Sequence, residues 1–324
     1  MAFIDQIKEK IKSSGKKFKI VYPNGDIEVC VKALSILNEQ NIIEAIGLGN
    51  VENMKEIAKK NNLNIDGVTL IDPSKELSDD FINSYYDLRK HKGIDKDFAK
   101  NQMSLVHYYG AMMVEKGLAD GMVCGLTSET KPFLPAFQIV KTKPGIKRAS
   151  SVFFMIKDDD VKLYADCAMN INPDDETLAA IGAASGDTAK AFGIEPNIAF
   201  LSFSTNGSAD DPLVDKVSKA TKLCKELRPE YNIDGEMQFD AALLPNVAKK
   251  KWAESTVAGK ANIYIFPDLN AGNIAYKITE RLGGYKAVGP FFQGLNKPIN
   301  DLSRGAKAED VADTGYLTAI QSQI

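Results

Sequence analysis

The run FKIVYPNGDIEVCVKALSILNEQNIIEAIGLGNVENMKEIAKK, Phe18–Lys60, decides the fold class. Phe18 to Tyr22 is a short apolar run, and Val29 to Gln40 has the spacing of an amphipathic helix. Ile42 to Leu48 is apolar again, and Val51 to Lys60 returns to helical spacing. Short apolar runs suit strands buried on both faces, and the helices between them supply the crossovers that parallel strands require. The alternation predicts an α/β fold with a largely parallel sheet.

Upstream, Phe3, Ile4, Ile7 and Ile11 recur at helical spacing among charges, which describes an amphipathic helix rather than the continuous apolar stretch of a signal sequence. Downstream, Leu77 to Gly117 has a helical period and opens on Ser78-Asp79-Asp80, a set of capping residues. Lys143-Pro144-Gly145 then makes a turn, and strands are expected at Ser151–Ile156 and Val161–Ala165. Helical stretches at Asp174–Phe192 and Asp211–Leu227 alternate with strand-like Ile198–Phe203 and Ile263–Pro267, so the second half is α/β as well. Gly289-Pro290 and Lys297-Pro298 break the pattern before a final segment that can return to the first half. The expectation is two α/β domains, residues 1–144 with 293–324 and residues 145–292, with a ligand site in the crevice between them.

A chain of 324 residues, 44% hydrophobic and 26% charged, has ordinary globular composition and the length of two domains. Its net charge of -3 and its interleaved acids and bases argue against nucleic acid or an anionic membrane as partner; the longest basic cluster is Lys249-Lys250-Lys251. Cys30, Cys124, Cys167 and Cys224 are widely spaced with no CxxC pair, so neither a zinc site nor a disulfide framework is indicated, and reduced thiols in a cytoplasm fit best. No segment is long and apolar enough to span a bilayer. Gly47-Leu48-Gly49 lacks the third glycine of a dinucleotide motif, Glu52 standing in its place, and no GxxxxGK[ST] occurs; the two glycines are read as shaping a turn. No cofactor and no metal are expected.

Candidate chemistry concentrates in Asn300-Asp301-Leu302-Ser303-Arg304-Gly305, followed by Asp310. A hydroxyl, a guanidinium and a carboxylate lie within ten residues, on a loop expected to run into a helix. Were that stretch helical throughout, Ser303 and Asp310 would stand two turns apart on one face; a plain helix-start charge is the competing reading of Asp310. Arg89, within Tyr85-Tyr86-Asp87-Leu88-Arg89-Lys90-His91-Lys92-Gly93, is either an anion contact or part of a solvated helix end. Arg281 carries the same pair of readings, the second being a surface ion pair. His91 and His107 are the only histidines, and the His107-Tyr108-Tyr109 and Met112-Met113 stripe reads as core.

Further strings accumulate over nearly the whole chain. They include Leu88 to Gly93, Ala119-Asp120-Gly121-Met122-Val123, Pro135 to Thr142, Tyr164-Ala165-Asp166-Cys167-Ala168 and Leu201-Ser202-Phe203-Ser204-Thr205. Asp234 to Ala242, Pro267 to Asn273, Gln293-Gly294-Leu295 and the terminal Asn300 to Gly305 continue them. In order and spacing the chain resembles the phosphate acetyltransferases, of the phosphate acetyl/butyryl transferase family, from end to end. The resemblance implies a two-domain α/β enzyme, usually a homodimer, whose substrates are coenzyme A, acetyl-CoA, phosphate and acetyl phosphate. It implies Ser303 and Arg304 as catalytic residues, Asp310 as the base for the CoA thiol, and Arg89 and Arg281 as further functional arginines.

One departure stands out: the family commonly has arginine before the Pro-Ala-Leu-Gln stretch, where this chain has Leu134, and Lys131 is the nearby cation that substitutes for it. Cys124 also replaces a small hydroxyl residue, a change that core packing explains. For the implied reaction, direct transfer in a ternary complex is expected, because no histidine in the local sequence activates Ser303 as a nucleophile. An ordinary aspartate titrates about 4.6 units below an ordinary thiol, so thiol deprotonation is uphill by roughly 6 kcal/mol unless burial or loss of water narrows the gap. Three alternatives stand beside this reading: a phosphate butyryltransferase or other acyl-CoA phosphotransferase, a non-catalytic acyl-CoA sensing module, and a metal-dependent hydroxyacid dehydrogenase.

Overall fold

A computed structural model describes residues 3–126, 134–144, 146–302 and 305–323. In chain order the strands are β1 (Lys19–Tyr22), β2 (Glu44–Leu48), β3 (Thr69–Ile71), β4 (Gly121–Cys124), β5 (Ser150–Lys157) and β6 (Asp160–Ala165). They continue as β7 (Asn197–Leu201), β8 (Asn232–Met237), β9 (Ile263–Ile265), β10 (Lys286–Gln293) and β11 (Ile299–Asp301). The chain divides into a discontinuous unit, Ile4–Lys143 with Leu295–Ile324, and a central unit, Pro144–Gly294 with Phe3.

The discontinuous unit carries the sheet that the opening run predicts. Its order is β11-β4-β1-β2-β3 and every pairing is parallel. Ile20 stands opposite both Ala45 and Gly121, and Ile20, Val21 and Tyr22 are all buried, as a strand covered on both faces requires. The final helix, Ala308–Gln321, packs on the helix Glu28–Gln40 and on β4, so the C-terminal segment does rejoin the first half. Gly315 makes that approach possible, since a side chain there would collide with the hydroxyl of Tyr22.

Two local expectations fail. Gly47 lies inside β2, where a Cβ would crowd Leu34 and Met54, and only Gly49, at φ +148°, shapes the turn. Leu77–Gly117 is not one long helix but Asp79–Arg89, a 3-10 turn at Lys90–Lys92, Lys96–Met103 and Val106–Glu115. Gly93 at φ 77° ends the first part, and Asp95 restarts the next by accepting from the Phe98 amide at 2.7 Å.

In the central unit the sheet order is β10-β5-β6-β9-β7-β8. It is parallel from β6 to β8, but β10, β5 and β6 run antiparallel, because β5 and β6 are joined by a tight hairpin in which Asp158 takes φ 54°. Gln293 ends β10 and exchanges hydrogen bonds with Ser150, Ser185 and Thr188, which is why residues 293 and 294 belong here rather than with the C-terminal segment. The helices Asp175–Ala191 and Pro212–Leu227 begin on Asp174 and Asp211, whose carboxylates accept first-turn amides.

Candidate active site

The helix Asp79–Arg89 is built to end on its arginine. Ser78 caps it by accepting from the Phe81 amide at 3.4 Å, Asp79 and Asp80 favour its first turn, and Arg89 favours its last. Phe81, Ile82 and Tyr85 face the core, and Arg89, four residues after Tyr85, shares that side of the helix and is half-buried. The solvated helix-end reading therefore holds for Lys90, which pairs with Asp87 at 2.9 Å, and for the exposed His91 and Lys92, but not for Arg89. Burial pushes the Tyr85 phenol up to about 12, the nearby Tyr108 adds to the rise, and the positive charge of Arg89 works against it.

Tyr109, Met112 and Met113 are core, as their spacing predicts, whereas His107 and Tyr108 are only half-buried. Tyr85 donates its hydroxyl to Oε1 of Gln138 at 2.6 Å, and its ring meets that of Tyr108 edge-on, 5.7 Å between centroids at 89°. Gln138 ends the short helix Leu134–Gln138, on which Leu134 is 43% exposed; the position that lacks the expected arginine thus presents an apolar side chain to its surroundings.

At the C-terminal segment, β11 is locked beside β4. The buried Asn300 donates through Nδ2 to Thr318 Oγ1 at 2.9 Å and to Gln321 Oε1 at 2.8 Å, and the Cys124 thiol donates to its carbonyl at 3.3 Å. Cys124 is buried packing, and burial, with Asp301 adding to it, pushes its thiol well up. Ser303, Arg304 and Lys131 lie outside the described residues. Residues 305–307 are not helical and the helix starts at Ala308, so the expected loop runs into the helix just ahead of Asp310. Asp310 sets that start: its Oδ2 accepts from the Lys307 backbone N–H at 2.9 Å, and its side chain remains half-exposed. Its helix-start reading is real, and reaction chemistry would be an additional role.

The strand order changes direction at β1, between β2 on one side and β4 on the other, and ligands of open α/β sheets sit beyond the carboxyl ends of strands at such a point. Asn24, two residues past β1, is buried there with its Oδ1 lacking any hydrogen-bond partner among the described residues. The sequence reading missed it; the signal was a polar side chain in the turn Pro23-Asn24-Gly25 directly after the first buried strand.

Arg281 belongs to the central unit, at the end of the helix Leu269–Arg281. Its side chain is 79% exposed, and its Nε lies 3.3 Å from Glu280 Oε2. The firmly held acids of this unit are elsewhere. Asp166 accepts from the Ser151 hydroxyl, from the amides of Ala168, Met169 and Asn170, and from the Asn170 side chain. Glu236 accepts from the Ser204 and Ser218 hydroxyls and the Gly207 amide. Burial raises the Glu236 carboxyl, but these bonds outweigh it and hold the group below the usual carboxylate range. Among the described residues no cluster of His, Cys, Asp and Glu could hold a metal ion, and no helix is long and apolar enough to cross a membrane.

Known proteins resemble this chain along its length. The profile of the phosphate acetyl/butaryl transferase family matches residues 2–319. A phosphate acetyltransferase of Bacillus subtilis is 45% identical over 98% of this chain and 98% of its own length. One from Thermoanaerobacterium thermosaccharolyticum is 46% identical over the whole of both chains. Among solved structures, the EutD phosphotransacetylase of Staphylococcus aureus superposes with a TM-score of 0.92 at 44% identity, covering 99% of this chain and 98% of its own. A match of this extent, on a fold with the same α/β units, leaves one assignment: the chain belongs to the phosphate acetyl/butaryl transferase family and is an acyltransferase.

Proposed function

We propose that the chain is a phosphate acetyltransferase, interconverting acetyl-CoA plus phosphate with acetyl phosphate plus coenzyme A. The observation that carries this reading is the 45% identity to a phosphate acetyltransferase over 98% of both chains. A phosphate oxygen attacks the thioester carbonyl, a tetrahedral oxyanion forms, and the carbon–sulfur bond breaks to release CoA as thiolate. In the reverse direction Asp310 takes the thiol proton, the sulfur attacks the acetyl carbon, and phosphate leaves. Such a transfer needs a donor at the oxyanion and cations for the phosphate. Ser303 is the proposed donor, Arg304, Arg89 and Arg281 the proposed anion contacts, and Lys131 the substitute for the arginine absent at Leu134.

Two features support this division of labour. The bond from Lys307 N–H holds the Asp310 carboxylate in one orientation while leaving it half-exposed, within reach of a thiol. Arg89 ends a capped helix beside Tyr85, so its planar donors are presented from a fixed base. No cofactor is called for, since both substrates bring their own leaving groups. A homodimer in the cytoplasm is the proposed state, and the helix Leu269–Arg281 supports self-association: Ile274, Ile278 and, just past its end, Leu282 are exposed at four-residue intervals, 57%, 52% and 85%.

Arsenate-dependent loss of the acetyl-CoA thioester tests the reaction directly, because arsenate replaces phosphate as the attacking oxyanion and its acyl ester hydrolyses. Loss that depends on arsenate, and is faster with acetyl-CoA than with butyryl-CoA, is expected. No arsenolysis of either thioester would overturn the reading, and faster loss of butyryl-CoA would move it to a butyryltransferase.

A further inference from the structure

Just past the carboxyl end of β1, a polar side chain is folded into place with its acceptor unused. Asn24 is 5% exposed, and its Oδ1 has no hydrogen-bond partner among the described residues. Burying an unpaired acceptor costs free energy, and such a group persists only where the backbone around it is fixed. Here it is fixed on both sides. The Gly25 amide donates to the Leu48 carbonyl at the end of β2 at 2.9 Å, so close that a Cβ on Gly25 would crowd that strand. The Ile27 amide donates to the Asn24 carbonyl at 3.2 Å, and Asp26 Oδ2 accepts from the Asn50 amide at 3.2 Å. On the other side of β1 lies β4, where Val21 and Met122 are register partners, so Asn24 and Gly125 stand at matching positions three residues further on. Gly125 packs against the residues directly before Ser303 in the sequence: a side chain there would collide with the Asp301 carboxylate and the Leu302 backbone.

We propose that Asn24 is a substrate contact whose Oδ1 accepts a hydrogen bond from an amide N–H of the pantetheine arm of coenzyme A. This rests on the reading of the chain as an acyltransferase between CoA and phosphate. A carboxamide oxygen calls for a donor. Acetyl phosphate as the dianion has none, and phosphate presents chiefly anionic oxygens that another oxygen repels. The pantetheine arm carries neutral amide N–H groups close to the reacting sulfur, whereas the adenine amine and the ribose hydroxyls of CoA lie far from it. Asn24 stands where the strand order changes direction, at the strand ends that lead into the segment before Ser303, which is the place for the reacting end of a ligand. An acceptor already fixed by its turn needs no ordering when the ligand arrives.

The test combines kinetics with stability. Asn24→Leu removes the acceptor and keeps the bulk, and Asn24→Ala removes it without adding any. In turnover of acetyl phosphate with CoA, each is expected to raise KM for CoA about three- to tenfold, the scale of one neutral hydrogen bond, with kcat and KM for acetyl phosphate within about twofold of the parent. Without ligand, Asn24→Leu should melt at or above the temperature of the parent, because no buried acceptor is left unpaired, and saturating CoA should raise its melting temperature less than it raises the parent's. Unchanged KM for CoA in both variants overturns the proposal and leaves the acyltransfer reading intact. A rise in KM for acetyl phosphate instead of CoA overturns the pantetheine assignment. Ligand-free Asn24→Leu that melts well below the parent, or does not fold, shows that Oδ1 is paired within the fold, and it too overturns the proposal. If the parent itself does not turn over acetyl phosphate with CoA, the reading of function fails and this inference with it.

Discussion

The discontinuous and central units hold their charged side chains in contrasting ways. In the first, Arg89 is held half-buried at the end of its helix and Asp310 accepts from a backbone N–H, each partly open to solvent. In the second, Asp166 and Glu236 are buried and supplied with several donors, whereas Arg281 stands exposed beside Glu280. Carboxylates in the second unit organise loops: five donors on Asp166 fix residues 166–170, and three on Glu236 tie Ser204 and Gly207 to the neighbouring helix through Ser218. The comparison teaches that a strongly bonded, buried acid shapes a fold, while an oriented but reachable one is suited to exchanging a proton. It also separates a half-buried arginine at a helix end from one that stands in solvent.

The sharpest way to break this comparison is Asp310→Asn. The amide still accepts from Lys307 N–H, so stability should hold, while turnover of acetyl phosphate with CoA falls by at least about 100-fold, the contribution expected of a proton-transferring group. Near-parental turnover would reduce Asp310 to a helix cap. Asp166→Ala should act on the other axis, leaving several donors unpaired inside the central unit and lowering its unfolding free energy by about 3–5 kcal/mol in a denaturant titration. A change under about 1 kcal/mol would show that the loop holds itself.

A smaller effect is expected at Arg281→Gln. With its side chain 79% exposed, stability should stay within about 0.5 kcal/mol, and KM for an anionic substrate should rise about five- to tenfold. Unchanged KM would remove Arg281 from the substrate contacts. The smallest is at Glu236, whose folded carboxyl titrates below its unfolded value. Its stabilisation is therefore present above the unfolded value, near ~4.3, and is lost as pH falls through the folded one. Glu236→Gln should flatten the acid limb of stability against pH, and a limb of parental steepness would assign acid sensitivity elsewhere.

Much of the architecture was legible because it rests on local pattern. The alternation in Phe18–Lys60 specifies buried strands with amphipathic crossovers, and β1, the helix Glu28–Gln40, β2 and the helix Val51–Lys60 follow it within two residues. Caps at Ser78, Asp174 and Asp211 were equally local. The antiparallel side of the second sheet was not legible, since strand direction depends on which strands pair and not on their own composition. The helix start before Asp310 was left open between two readings because acids at positions 309 and 310 fit a helix interior as well as its first turn; the bond to Lys307 N–H decides for the first turn.

For the site, the sequence by itself determined which residue types are available and, through its ordered strings, the family to which the chain belongs. It named Arg89, Arg281 and Asp310, with Ser303, Arg304 and Lys131 outside the described residues, but gave Arg89 and Arg281 equal standing. Only the tertiary structure told them apart, setting Arg89 beside a phenol and Arg281 out in solvent, and only it joined Tyr85 to Gln138 across 53 positions of chain. The physical reason is reach: capping and periodicity act over one or two helical turns, whereas burial and hydrogen-bond partnership are set by which distant segments pack together.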